Sequence, residues 1–432
     1  MSQKNLILYY LLLLVVLCSW SDPVNSPNMI LRLAYFAAMI LPTYVYKPNL
    51  LPHILICFTS ISFYGYAASY LPTDYNVYTY ALLILSILPF KNKRNHIKIP
   101  PILVILALYT LVIDLTTGGR IEFINYSMFA VILTLYFVSK DEKYNNLYYY
   151  VFIITTLVLS LFFFAVGDQF VVEMQGQDRV VWKDPNYLGC VAGFGIVCAY
   201  YLLVKNMYLG KWFKYILLAT ICLGSIMILV NASRGAALCV ACGISVVTMY
   251  SKISFKKRIT IVTLVVIGMI LMYQFGLFSA LEQRIMYDED GTGSGRTNIW
   301  ALKLLLFTEE PAYKLLTGLG FRGGFMLGFV GGYGFHNDFV AFFVDYGIIG
   351  FCLFVCMLLY PLYLVSKNKE NKAIVTALTV YLLLCCMTLE PINAGRLTFL
   401  YMYIFIYILA KQKSLHLLEK NDTVYKQIIK RK

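Results

Sequence analysis

The sequence predicts an all-α fold: a polytopic transmembrane helical bundle of about 14 spans (12–14), with one long outer loop that contains an amphipathic helix. Three observations predict it. The 432 residues are 60% hydrophobic and only 13% charged, whereas a soluble domain is nearer half apolar and a quarter charged. Apolar runs near 20 residues recur along the whole length, which is the length a helix needs to cross the hydrocarbon core. The polar breaks between runs alternate in charge. Within lipid every backbone N–H and C=O must be satisfied inside the segment, so runs of this kind read as helices. They are spread too evenly to divide, and residues 1–432 read as a single membrane domain.

Taken in order, the expected spans are 5–20, 29–46, 50–71, 75–90, 100–117, 121–139, 147–167, 186–204, 214–231, 235–251, 259–279, 336–365, 373–390 and 396–410. The first run, LILYYLLLLVVLCSW, has the length of a signal peptide but no small-residue cleavage site after it, and it reads as an uncleaved span. Short polar breaks at 21–28, 72–75 and 118–120 leave the early count open by about two.

Charge orients the spans. Lys91, Lys93, Arg94 and Lys98 mark one connection, Lys140 and Lys143 the next, and Lys205, Lys211 and Lys214 a third. Lys252, Lys256, Lys257 and Arg258 follow, then Lys367, Lys369 and Lys372, and finally the basic tail 411–432. All fall on one side, which the positive-inside rule makes cytoplasmic, with both termini there. The net charge of +14 is largely this bias; anionic membrane lipids account for it and no nucleic-acid partner is required. The other side is poor in lysine but holds Arg120, Arg179, Arg234, Arg284, Arg296, Arg322 and Arg396, seven of the 11 arginines. A guanidinium is a planar fork that grips phosphate oxygens in pairs, whereas an ammonium is a hydrated point charge. The outer arginines therefore point to a ligand. The competing reading is that they pair with Glu282, Asp288, Glu289, Asp290, Glu309 and Glu310 in the same loop.

That loop spans 280–335. Unstructured connections beyond about 15 residues are usually functional. A helix is expected near 297–308 (TNIWALKLLLFT), with Thr297 or Asn298 as cap and an apolar face suited to the membrane surface. GTGSGR leads into it, a glycine-rich turn at a helix N-terminus and so a place to hold an anion. Eight of the 19 residues 316–334 are glycine, which lets backbone approach backbone or ligand closely. His336 then opens the next span beside Asn337 and Asp338. A helix N-terminus disfavours an imidazolium, so the ring is expected to be neutral and able to accept a proton from a hydroxyl; the bland alternative is a histidine at a helix cap. Asp345, nine residues on, falls on about the opposite helix face and is given no role toward His336.

The 11 cysteines lie within or at the ends of apolar runs, so a disulfide scaffold is not expected, and Cys239 and Cys242, although spaced CxxC, read as packing residues. No HExxH or Walker pattern occurs, and neither a metal nor a cofactor is expected.

In order along the chain stand DRVVWKDPNYLG (178–189), SRGA (233–236), GSGRTNIW (293–300), LTGLGFRGG (316–324) and HNDFVAFFVDYGIIG (336–350). This set resembles the O-antigen polymerase and ligase family of bacterial inner-membrane glycosyltransferases, over about 180–350. The resemblance implies transfer of a glycan from an undecaprenyl-pyrophosphate carrier to an acceptor hydroxyl at the periplasmic face, inverting and without metal. It implies that Arg234 and Arg296 bind the pyrophosphate and that His336 is the catalytic base. Arg322 is a third candidate for the pyrophosphate, and Arg179, Asp184, Asn186 and Asn337 are candidates for the glycan. The partners it implies are the lipid-linked oligosaccharide, membrane lipids and a chain-length regulator protein.

A polymerase extends one carrier-linked chain with another, and a ligase hands the chain to lipid A core. About 14 spans and HND at the helix-opening position lean towards a polymerase, and the basic tail of about 22 residues is unlike the extra domain of protein-glycosylating relatives. A polysaccharide flippase is the alternative of another class. It should show internal repeats and midplane charges; here the polar residues gather at one face around a long loop.

Overall fold

The computed structural model describes residues 99–117, 145–166, 171–174, 177–180, 185–207, 210–231, 233–251, 253–274, 296–327, 334–366, 371–389 and 397–411, apart from a few positions within them, together with scattered positions in 5–41 and 128–135. The expected spans at 50–71 and 75–90 lie outside the described residues, and those at 5–20, 29–46 and 121–139 lie mostly outside them.

The apolar runs fold as helices: α1 Pro101–Thr116, α2 Asn145–Val166, α3 Pro185–Lys205, α4 Lys211–Val230, α5 Arg234–Tyr250, α6 Phe255–Gln274, α10 Asp338–Ser366, α11 Lys372–Thr388 and α12 Leu397–Lys411. Three of them, Asn186–Lys205, Lys211–Val230 and Asp338–Ser366, are long and apolar enough to cross a membrane. Shorter apolar helices include Pro101–Thr116, Arg234–Tyr250 and Lys372–Thr388. The fold is thus helical, with one small exception that sequence periodicity did not show. Between α2 and α3 lies an antiparallel hairpin, β1 Val171–Met174 and β2 Gln177–Val180. Met174 pairs with Gln177, so only Gln175 and Gly176 separate the strands, the shortest common hairpin connection.

Helix α3 is central: 89% of its apolar window is buried, against 39% for α4. Its small residues let neighbours close in. A side chain at Gly193 would meet the Tyr381 hydroxyl of α11 and Val240 of α5, and one at Gly189 would come within 2.7 Å of the Ala236 Cβ. Aromatic rings fill the interior: Phe194 lies 4.7 Å from Phe152 and 5.7 Å from Tyr381, and Phe405 packs at 5.4 Å on Phe152. At their far end these helices gather lysines. Lys372 sits over the Tyr250 ring at 5.3 Å, and the Asn371 amide donates to Leu409 O at 2.9 Å, which puts the start of α11 beside the ends of α5 and α12.

The long-loop segment supplies α7 Arg296–Thr308, α8 Ala312–Thr317 and α9 Gly323–Met326. Helix α7 begins at Arg296, so Thr297 and Asn298 occupy its first turn and do not precede it as caps. Its Lys303 and Phe307 are buried, and Trp300 and Leu304 pack with Phe335, Ala341 and Val344. The helix therefore docks on the opening turns of α10, while Leu302 and Leu305 stay exposed.

Candidate active site

The site is organised by the end of α11. A helix C-terminus leaves carbonyls without intrahelical partners, and here other elements take them. Arg296 Nη1 donates to Thr388 O at 2.7 Å, and the Asp338 backbone N–H donates to Leu389 O at 3.1 Å. Thr388 also faces Gly235, where a side chain would come within 3.1 Å of its Oγ1. Gly235 follows Arg234, the first residue of α5, and the preceding Ser233 hydroxyl donates to Asn186 Oδ1 of α3 at 3.4 Å. The starts of α3, α5, α7 and α10 are thus brought to the end of α11. Each helix start carries about half a positive charge, and two of these four begin with an arginine. The combined field favours an anion.

His336 stands one residue outside the cap of α10. Asn337 Oδ1 accepts the N–H groups of Phe339 at 2.9 Å and Val340 at 3.3 Å, so Asn337, which the sequence offered as a glycan contact, caps this helix. On the other side Phe335 is held firmly. Its carbonyl accepts the Trp300 indole N–H at 2.5 Å, and its ring lies 4.8 Å from Lys303 Nζ and against Gly324. Between these anchors His336 has φ of 50° and an exposed side chain. A left-handed non-glycine residue costs about 1–2 kcal/mol and persists where its surroundings over-determine it. Among the described residues only Asn206, Arg322 and His336 share this feature without being glycine. Two of the three are residues singled out by sequence.

Arg322 sits on a loop that fills a break in α10. At Gly347 the backbone leaves the helix (φ 65°, ψ −173°), and a side chain there would strike the Leu316 carbonyl. The break frees carbonyls of the preceding turn. Leu319 N donates to Val344 O at 3.2 Å, Gly320 N to Asp345 O at 2.8 Å, and the Tyr109 hydroxyl of α1 to Tyr346 O at 3.0 Å. Irregular backbone of this kind is tolerated in a membrane protein where protein covers it. The next turn is held by two buried carboxylates. Asp114 Oδ1 accepts Phe321 N at 2.8 Å; Asp345 accepts Arg322 N at 3.1 Å and Gly324 N at 2.9 Å. Lys303 Nζ, on a buried side chain, donates to Gly324 O at 2.9 Å. With its backbone so fixed, Arg322 turns an exposed guanidinium outward, 5.4 Å from the Phe321 ring.

Arg296 thus reaches the end of α11, where Gly235, beside Arg234, and the backbone of Asp338, two residues after His336, also pack; Asn186 meets Ser233, and Arg322 lies two residues before Gly324, which packs on Phe335. Arg179 lies on β2, while Asp184 and the GTGSG turn, with Arg120, Arg284 and Arg396, lie outside the described residues. Glu310 pairs with Lys314 at 2.7 Å, and among the described residues the Arg322 guanidinium meets no carboxylate. Among the described residues no group of three or more His, Cys, Asp or Glu is placed to share a metal ion. Cys239 packs with its sulfur 3.7 Å from that of Cys385, in keeping with a packing role. Sequence reasoning gave no role to Asp114, Asp345 and Lys303; an ionisable residue within an apolar run is itself a signal of function.

Residues 218–355 match the family model described as O-antigen ligase. Over that segment, about a third of its length, the chain is similar to the O-antigen ligase family. The match contains Arg234, Arg296, Arg322 and His336, and so four of the five sequence motifs; DRVVWKDPNYLG, with Arg179, Asp184 and Asn186, precedes it. No curated protein matches the chain.

Proposed function

We propose that this protein is an O-antigen, or similar surface-polysaccharide, polymerase of the bacterial inner membrane. It moves a glycan from one undecaprenyl-pyrophosphate carrier to a hydroxyl of another lipid-linked repeat unit at the periplasmic face. What supports the reading is that Arg296 binds the Thr388 carbonyl at the helix end where Gly235, next to Arg234, and the backbone of Asp338, two residues after His336, also pack.

The chemistry follows from those groups. The anomeric carbon of a glycosyl diphosphate is already activated, and its departure builds negative charge on the bridging oxygen. Guanidinium groups and helix N-termini stabilise that charge best when fixed in advance. Arg296 donates one N–H to Thr388 O, which orients the planar fork. His336 takes the proton of the acceptor hydroxyl as it attacks the opposite face of the sugar, inverting the anomeric centre. With arginines in this role the reaction needs no divalent ion, and full activity in EDTA is expected; a strict requirement for Mg²⁺ counts against it.

A ligase is the second reading, favoured by the description of the matching family. A lipopolysaccharide gel from a deletion strain separates the two. A single-repeat band marks loss of a polymerase. Bare core with carrier-bound polymer marks loss of a ligase. An unchanged ladder overturns both.

A further inference from the structure

Gly324 is gripped from two sides by buried ionisable groups: its N–H by the Asp345 carboxylate at 2.9 Å, its carbonyl by the Lys303 ammonium at 2.9 Å. The same carboxylate takes Arg322 N at 3.1 Å. Asp345 and Lys303 are 1% exposed, and a charge is costly at such depth unless it has fixed partners. Both charges converge on the short turn that carries Arg322, whose left-handed backbone (φ 57°) has little intrinsic preference to form. Apolar contacts from Phe335 and Val344 also lie against Gly324. What the ions add is direction, because hydrogen bonds to a carboxylate and an ammonium fix peptide orientation where packing alone does not.

We infer that Asp345 and Lys303 are positioning residues: they clamp the Gly324 peptide and so aim the Arg322 guanidinium at the diphosphate of the lipid-linked donor. The inference rests on the proposed function for its ligand, and a binding test separates the two. Full-length protein in detergent is titrated with farnesyl diphosphate, a short soluble analogue of a polyprenyl diphosphate. Arg322→Ala weakens Kd roughly tenfold, the loss expected of a charge-assisted contact. Asp345→Asn and Lys303→Met each weaken it by a similar factor, because misaiming a group is about as harmful as losing it. In the Arg322→Ala background neither weakens it further, since residues acting through one group are not additive. Lys303→Met carries the test if Asp345→Asn does not accumulate in the membrane. Losses that multiply in the double variants overturn the inference, as does an unchanged Kd in Arg322→Ala or in Lys303→Met. His336→Ala binds farnesyl diphosphate normally under either outcome; turnover that survives this substitution sinks the proposed function and leaves the clamp standing.

Discussion

At one end of the bundle Lys205, Lys211, Lys214 and Lys372 stand at helix termini on exposed or half-exposed ground. At the other, Arg234, Arg296 and Arg322 stand where separate elements meet. The lysines are interchangeable in principle. Lys372 over Tyr250 and Lys411 over Tyr407 rest on aromatic faces, contacts that tolerate movement of the ammonium. The arginines have defined surroundings: Arg296 on the carbonyl of Thr388, Arg234 beside the Gly235–Thr388 contact, Arg322 on a turn tied to Asp345. A charge that only has to lie on one side of a membrane needs no fixed geometry; a charge that has to meet a particular oxygen does. The contrast separates topology from chemistry within one chain of uniformly basic character.

The contrast breaks most visibly at His336. His336→Ala is expected to lower turnover by about 100- to 10,000-fold with normal membrane accumulation, measured as product-ladder formation from a purified lipid-linked repeat unit; a ladder of normal rate removes the base from the account. Arg234→Lys comes next. Keeping the charge but losing the fork is expected to lower kcat roughly 100-fold, whereas near-normal kcat means that a point charge suffices there. Gly347→Ala tests the architecture beneath the site. A Cβ there meets the Leu316 backbone in a left-handed conformation, so a loss of about 2 kcal/mol or more is expected, read as a lower melting temperature in detergent. Asn337→Ala should cost about 1 kcal/mol of stability as a lost cap and leave the acceptor KM unchanged; a large rise in that KM restores Asn337 to the glycan site. At the opposite end, Lys211→Gln and Lys214→Gln should shift stability by no more than about 0.5 kcal/mol and leave turnover alone. A turnover defect there would erase the distinction between the two ends.

Much of this was legible along the chain. Among the described residues, the apolar runs from 100 onward marked helices to within a few residues, because hydrophobic length is a local property. The excess of arginine over lysine in alternate connections was legible too, because it is a matter of composition. The break in α10 was not legible. The run 336–365 reads as one unbroken span, and Gly347 inside it resembles any helical glycine until Leu316 and Tyr109, distant in sequence, are seen to occupy the gap. The hairpin at 171–180 was missed because eight strand residues between long apolar runs carry little periodic signal. Asp114 and Asp345 were present as charges in apolar stretches, yet their partners, the N–H groups of Phe321, Arg322 and Gly324, lie in another segment altogether.

By itself the sequence determined that the chain is a helical membrane protein, which residues are cationic forks and which is the imidazole at a helix mouth, since composition, run length and residue type are carried by the chain locally. Only the tertiary structure decided that the end of α11 gathers four helix starts and that buried carboxylates hold the Arg322 turn. Those are contacts between residues 21 to more than 200 positions apart, and no local pattern specifies which distant partner a donor will find.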